Sequence, residues 1–131
     1  MATWDDVRRL ALALPDVEEK PSYGGAASWS IKGKAIVWER PLRGKELAEL
    51  GAEAVDWVVL GVRVADVGVK QALVAEDPDI YFTTAHFDGY PAVLVRLDRI
   101  GVDELEELVV EAWLDRAPKR LARAYRDADA D

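Results

Sequence analysis

His86 is the one histidine among 131 residues and the one side chain whose unperturbed pKa lies near neutrality. It stands beside Asp88 and Tyr90 in Ala85-His86-Phe87-Asp88-Gly89-Tyr90-Pro91, whose Gly and Pro read as a loop, where reacting groups often sit. A general base needs a nucleophile or substrate proton within hydrogen-bond reach, and spacing singles out none of Ser22, Ser28, Ser30, Thr83 or Thr84. The pattern favours a loop histidine bonded to backbone or a nearby carboxylate, and no catalytic residue is assigned. His86 with Asp88 is also two ligands short of a protein metal site, and the chain has no cysteine to supply thiolates. No metal or cofactor is expected. Gly24-Gly25 is no phosphate loop, because neither G-x-G-x-x-G nor G-x-x-x-x-G-K-[ST] occurs.

Charge is the second source of chemistry, and it is unevenly spread. Seventeen basic and 25 acidic residues leave a formal net charge of −8, which opposes nonspecific attraction to nucleic acid or an anionic membrane. Ser28–Lys45 nevertheless holds Lys32, Lys34, Arg40, Arg43 and Lys45 against Glu39 alone. Arg116–Arg126 adds Arg116, Lys119, Arg120, Arg123 and Arg126 with no acid. On a helix, 116, 120 and 123 share one face and 119, 123 and 126 another, so much of this charge projects together. The bland reading is a solvated helix end that complements its own dipole. The sharper one is an anion-binding patch able to neutralise several phosphates, which requires the two islands to converge.

These groups need elements to hold them. Thr3 with Asp6 signals a capped helix through Val7, Leu10, Ala11 and Leu14, stopped by Pro15. Asp16–Ala27 reads as a surface loop around Tyr23. In Ser28–Arg40, Gly33-Lys34 suits a two-residue turn, which sets Ile31 opposite Ile36 and Trp29 opposite Trp38 and gathers these four on one face. Gly44–Gly51 has room for about two helical turns. The run from Val55 to Val64 reads as a strand. Asp66 caps a helix to Glu76 with Val69, Ala72 and Leu73 inward, and Ile80–Thr84 with Ala92–Leu97 form a second hairpin. From Val102 to about Asp115, Leu105, Leu108, Val109, Ala112 and Trp113 define an apolar face, with the clustered acids in water. Pro118 opens a short extra C-terminal helix before an acidic tail frays from Asp127. Trp29, Trp38, Trp57 and Trp113 all fall on apolar faces, which favours core packing over a ligand cage.

Composition is that of one compact domain, residues 1–131, with 50% hydrophobic and 32% charged residues and no linker or repeat. No stretch approaches the roughly 18 apolar residues of a membrane span, and Asp5, Asp6, Arg8 and Arg9 occupy the place of a signal peptide's apolar core. The cytoplasm is the expected location.

Several motifs resemble the MmcQ/YjbR family of small bacterial proteins. They are Leu10-Ala11-Leu12-Ala13-Leu14-Pro15, the Trp29-x-x-x-Gly33-Lys34 hairpin, the run from Tyr81 to Leu97, and Ala112-Trp113-x-x-x-Ala117-Pro118-Lys119-Arg120-Leu121. Their order and spacing cover nearly the whole chain. The resemblance implies a two-layer α+β sandwich of α-β3-α-β2-α order with an antiparallel sheet of about five strands, matching the order reached from periodicity. It also implies DNA binding, a label that rests on a proposed double-wing arrangement and carries no assigned contact residues. The expected function is therefore weak, salt-sensitive binding of DNA or another polyanion through Lys32, Lys34, Arg40, Arg43 and Lys45 with Arg116, Lys119, Arg120 and Arg123. The alternative is a protein-interaction or small-ligand module that uses its acidic helix face or Tyr23, His86 and Tyr90. No reaction is assigned under either reading.

Overall fold

A computed structural model describes residues 1–21 and 26–130, so Tyr23 and the Gly24-Gly25 pair lie outside the described residues. The first helix, α1 (Trp4–Leu12), starts where its capping box predicts. The Thr3 hydroxyl accepts from the Asp6 amide at 3.2 Å, and the Asp6 carboxylate accepts from the Thr3 amide at 2.9 Å. Val7, Leu10 and Ala11 are its buried stripe.

Six antiparallel strands follow in the sheet order β1-β2-β3-β4-β6-β5. They are β1 (Val17–Pro21), β2 (Ala27–Ile31), β3 (Lys34–Glu39), β4 (Val59–Arg63), β5 (Tyr81–Phe82) and β6 (Ala92–Arg96). The extra strand relative to the expected five is β1, within the stretch read as loop. Its Glu18, Glu19 and Lys20 lack strand alternation because β1 is a solvent-facing edge, where charge discourages pairing with another chain. The opposite edge, β5, is only two residues long.

The first hairpin differs in register from the sequence reading. Its turn is Lys32-Gly33, with φ of 51° and 81°, and two positive values are what a type I′ turn requires. Ile31 therefore pairs with Lys34 and Ser30 with Ala35. A bulge then leaves Ile36 unpaired and sets Trp29 opposite Val37. A one-residue slip exchanges sheet faces, so Trp38 lies on the face opposite Trp29.

Helices α1 and α4 (Val102–Arg116) cover one face, over Trp29, Ile31, Val37, Leu60, Val62, Val93 and Val95. The other face carries a smaller cluster of Val59, Phe82, Phe87 and Leu94, roofed by Leu42, Trp57 and Leu50 of α2 (Gly44–Leu50). The first part of the expected 55–64 strand is a 3₁₀ turn, Ala52–Asp56, entered through Gly51 at φ 100°. Helix α3 (Val67–Glu76) is capped by Asp66 as read, but Val69 and Ala72 are exposed and Lys70 is buried. The Lys70 stem runs inward so that Nζ can donate to the carbonyls of Phe87 at 2.6 Å and Tyr90 at 3.2 Å. Helix α5 (Lys119–Ala130) continues through the stretch expected to fray. Among the described residues, no helix is long and apolar enough to cross a membrane.

Candidate functional site

The first basic island does not stay together. Lys32 within the β2–β3 turn and Lys34 just after it are exposed, whereas Arg40 follows the far end of β3, about 20 Å from Lys34 at ~3.3 Å per residue. Arg40 is also buried, and its placement corrects the expectation that it meets a phosphate. Its guanidinium pairs with Glu46 at 3.0 Å and lies 5.1 Å from the centre of the Phe87 ring. Burial opposes the charge on Glu46. The Arg43 amide, the Thr84 hydroxyl at 2.7 Å and Arg40 outweigh that penalty and hold the carboxyl below its ordinary range. The cluster pins α2 to the 84–87 turn. Arg43 and Lys45 remain exposed at the start of α2.

The second island is displayed on α5. Leu121, Ala122 and Tyr125 hold this helix against the core, with Tyr125 5.2 Å from Trp113 ring to ring. That leaves Lys119, Arg120, Arg123 and Arg126 exposed, and none forms an ion pair among the described residues. Arg116 is half-buried, its Nε enclosed without a partner among the described residues.

The hairpin tip and α4 both reach the segment that follows α1. Lys32 pairs with Asp16 at 3.2 Å, and the carbonyl of the adjoining Pro15 accepts from the Trp113 indole at 3.0 Å. The hairpin tip and the last turn of α4 are thus tied to neighbouring residues of the same segment. Lys32 and Lys34 lie at the hairpin tip, while Arg40, Arg43 and Lys45 lie across the sheet.

The loop candidates are arranged for packing. His86 meets Phe87 edge-on at 5.0 Å and makes no side-chain hydrogen bond among the described residues. Thr84, one of the hydroxyls near His86 in sequence, is buried and donates to Glu46 instead. Tyr90 is exposed, accepts from Arg63 at 3.2 Å, and has the Arg63 guanidinium 5.2 Å from its ring centre.

A groove that no local sequence signal announces lies between α3, α4 and α5, with a volume of about 1140 Å³. Val69, Leu73, Leu108 and Ala112 supply apolar lining. Glu104, Glu107 and Glu111 line it from α4, and Lys119, Arg123 and Arg126 from α5. Tyr81 is buried at its side and donates to Glu104; burial and that carboxylate push its hydroxyl pKa up. The spacing of the three glutamates was visible in sequence, but only α3 and α5 turn that face into a wall.

Comparison with known proteins adds relatives of similar extent. The family model described as YjbR matches residues 12–114. The uncharacterized proteins Rv2570 of Mycobacterium tuberculosis and Mb2600 of Mycobacterium bovis are each 51% identical over 128 residues, covering 95% of this chain and 96% of theirs. The crystal structure of Deinococcus radiodurans protein DR2400, with the family-model domain DUF419, superposes with a TM-score of 0.64 at 20% identity. It covers 87% of this chain and 78% of that one, a likeness of fold.

Proposed function

The chain belongs to the YjbR family, and from that premise we propose that it binds a polyanion, with DNA phosphates the intended ligand. The contacts are Lys119, Arg120 and Arg123 of α5, joined by Lys32 and Lys34 of the hairpin tip. One observation carries the reading: three exposed cations within two turns of α5 lack an ion-pair partner among the described residues. Their charge is available for phosphates, and neutralising phosphates releases condensed counterions. Arg40 has no part in it, because its charge is already satisfied within the fold.

The net charge of −8 sets the regime. Repulsion from the acidic surface reaches a duplex over roughly a Debye length, about 10 Å at 0.1 M salt, so binding is weak and confined to low ionic strength. Five phosphate contacts give a slope of log K against log salt of about −4.5. Fluorescence anisotropy of a labelled duplex across a salt series tests this, with Lys119→Glu/Arg120→Glu/Arg123→Glu alongside. The expected result is a steep slope that the triple variant loses. Absence of wild-type binding at about 50 mM salt removes the reading.

A further inference from the structure

We infer that the α3–α4–α5 groove is a docking site for an amphipathic helix of a partner protein, one whose apolar stripe is flanked by basic residues on one side and acidic residues on the other. At about 1140 Å³ the open groove lies at or just above the roughly 300–1,000 Å³ of small-ligand clefts, room enough for the side chains of a docked helix. The lining argues for a helix, because Val69, Leu73 and Leu108 offer apolar contact between three helices, and Val69 is 40% exposed. Docked apolar side chains would cover these residues without reordering the core.

The walls specify the flanks. Glu104, Glu107 and Glu111 of α4 face the groove, as do Lys119, Arg123 and Arg126 of α5, and none of the six is in an ion pair among the described residues. The opposed charges do not neutralise one another at contact distance. An occupant carrying a single sign of charge meets one favourable wall and one repulsive wall. An amphipathic helix with opposite flanks meets two favourable ones, and like-charge mismatch discriminates against the others. The inference is independent of polyanion binding, although Lys119 and Arg123 border both surfaces.

The probes are three fluorescein-labelled synthetic helices of roughly 18 residues, about five turns, with the same leucine stripe. One has a lysine flank and a glutamate flank, one has lysine on both flanks, and one has glutamate on both. The full chain is expected to bind the mixed helix at least about tenfold more tightly than either single-sign helix. In Glu107→Lys/Glu111→Lys, two exposed positions, preference is expected to pass to the all-glutamate helix. Val69→Asp is expected to lose peptide but keep duplex binding, and Arg120→Glu to weaken duplex but keep peptide binding. Equal affinity for the three helices, or no saturable binding of the mixed one, overturns the inference. So does sedimentation showing a homodimer that Val69→Asp dissociates, since a second copy would then be the occupant.

Discussion

Trp38 on β3 and Gly61 on β4 are directly paired across the sheet, and the Trp38 indole fills the space a side chain at 61 would occupy. A Cβ at Gly61 would stand 2.3 Å from the ring, nearer than real Cβ contacts allow. Gly61 is buried and Trp38, half-buried, packs against the smaller cluster, so the ring gives way only by losing that packing.

Gly61→Ala is accordingly expected to destabilise the protein by about 3 kcal/mol, the upper part of the overpacking range. Urea unfolding of Gly61→Ala, Trp38→Leu and the double variant checks it. The double variant is expected to lose less than the two single losses combined. Simple additivity would place the cost elsewhere than at this contact.

The buried Arg40–Glu46 pair makes a pH-dependent contribution. The Glu46 carboxyl is held below its ordinary value of 4.5, so its ionised form stabilises the fold above that pH. The contribution is lost as pH falls through the lower folded-state value. Glu46→Gln is expected to cost about 3 kcal/mol at neutral pH, because it leaves the Arg40 charge buried without its counterion. Its stability profile between pH 5 and 2, on the order of the carboxylate range, is expected to be flatter than that of the wild type. A variant profile parallel to the wild type would assign the acid sensitivity to other carboxylates.

Lys32 occupies a left-handed conformation that a lysine side chain disfavours. Lys32→Asn builds the Asn-Gly pair that type I′ turns prefer and is expected to raise stability by up to about 1 kcal/mol. The lost Lys32–Asp16 pair offsets little, since both side chains are at least half exposed. Thermal melts at two salt concentrations check the gain, and a loss that disappears at high salt would mean that the ion pair dominates the turn.

Much of the fold was legible because its signals are local. A hydroxyl three residues ahead of a carboxylate caps α1 wherever the helix sits, and Leu105, Val109 and Trp113 share a face by helical geometry alone. The basic character of α5 was equally readable, since charge on one short helix projects together. These determinations needed no knowledge of distant residues. The order of helices and strands followed from such signals, while the antiparallel α+β sheet was what the family resemblance implied.

The tertiary structure decided what depends on long-range neighbours. Gly33 announced a hairpin, but the choice of Lys32-Gly33 as its turn and the bulge at Ile36 are settled by packing of both faces, and they moved Trp38 across the sheet. Arg40 reads as one more surface cation until Glu46, Thr84 and Phe87 close around it from elements up to 47 residues further along the chain. The acids of α4 become a groove wall only when α3 and α5 pack beside them. In each case side-chain type sets what a residue can do. Burial and charge environment, summed over contacts distant in sequence, decide which of those possibilities is realised.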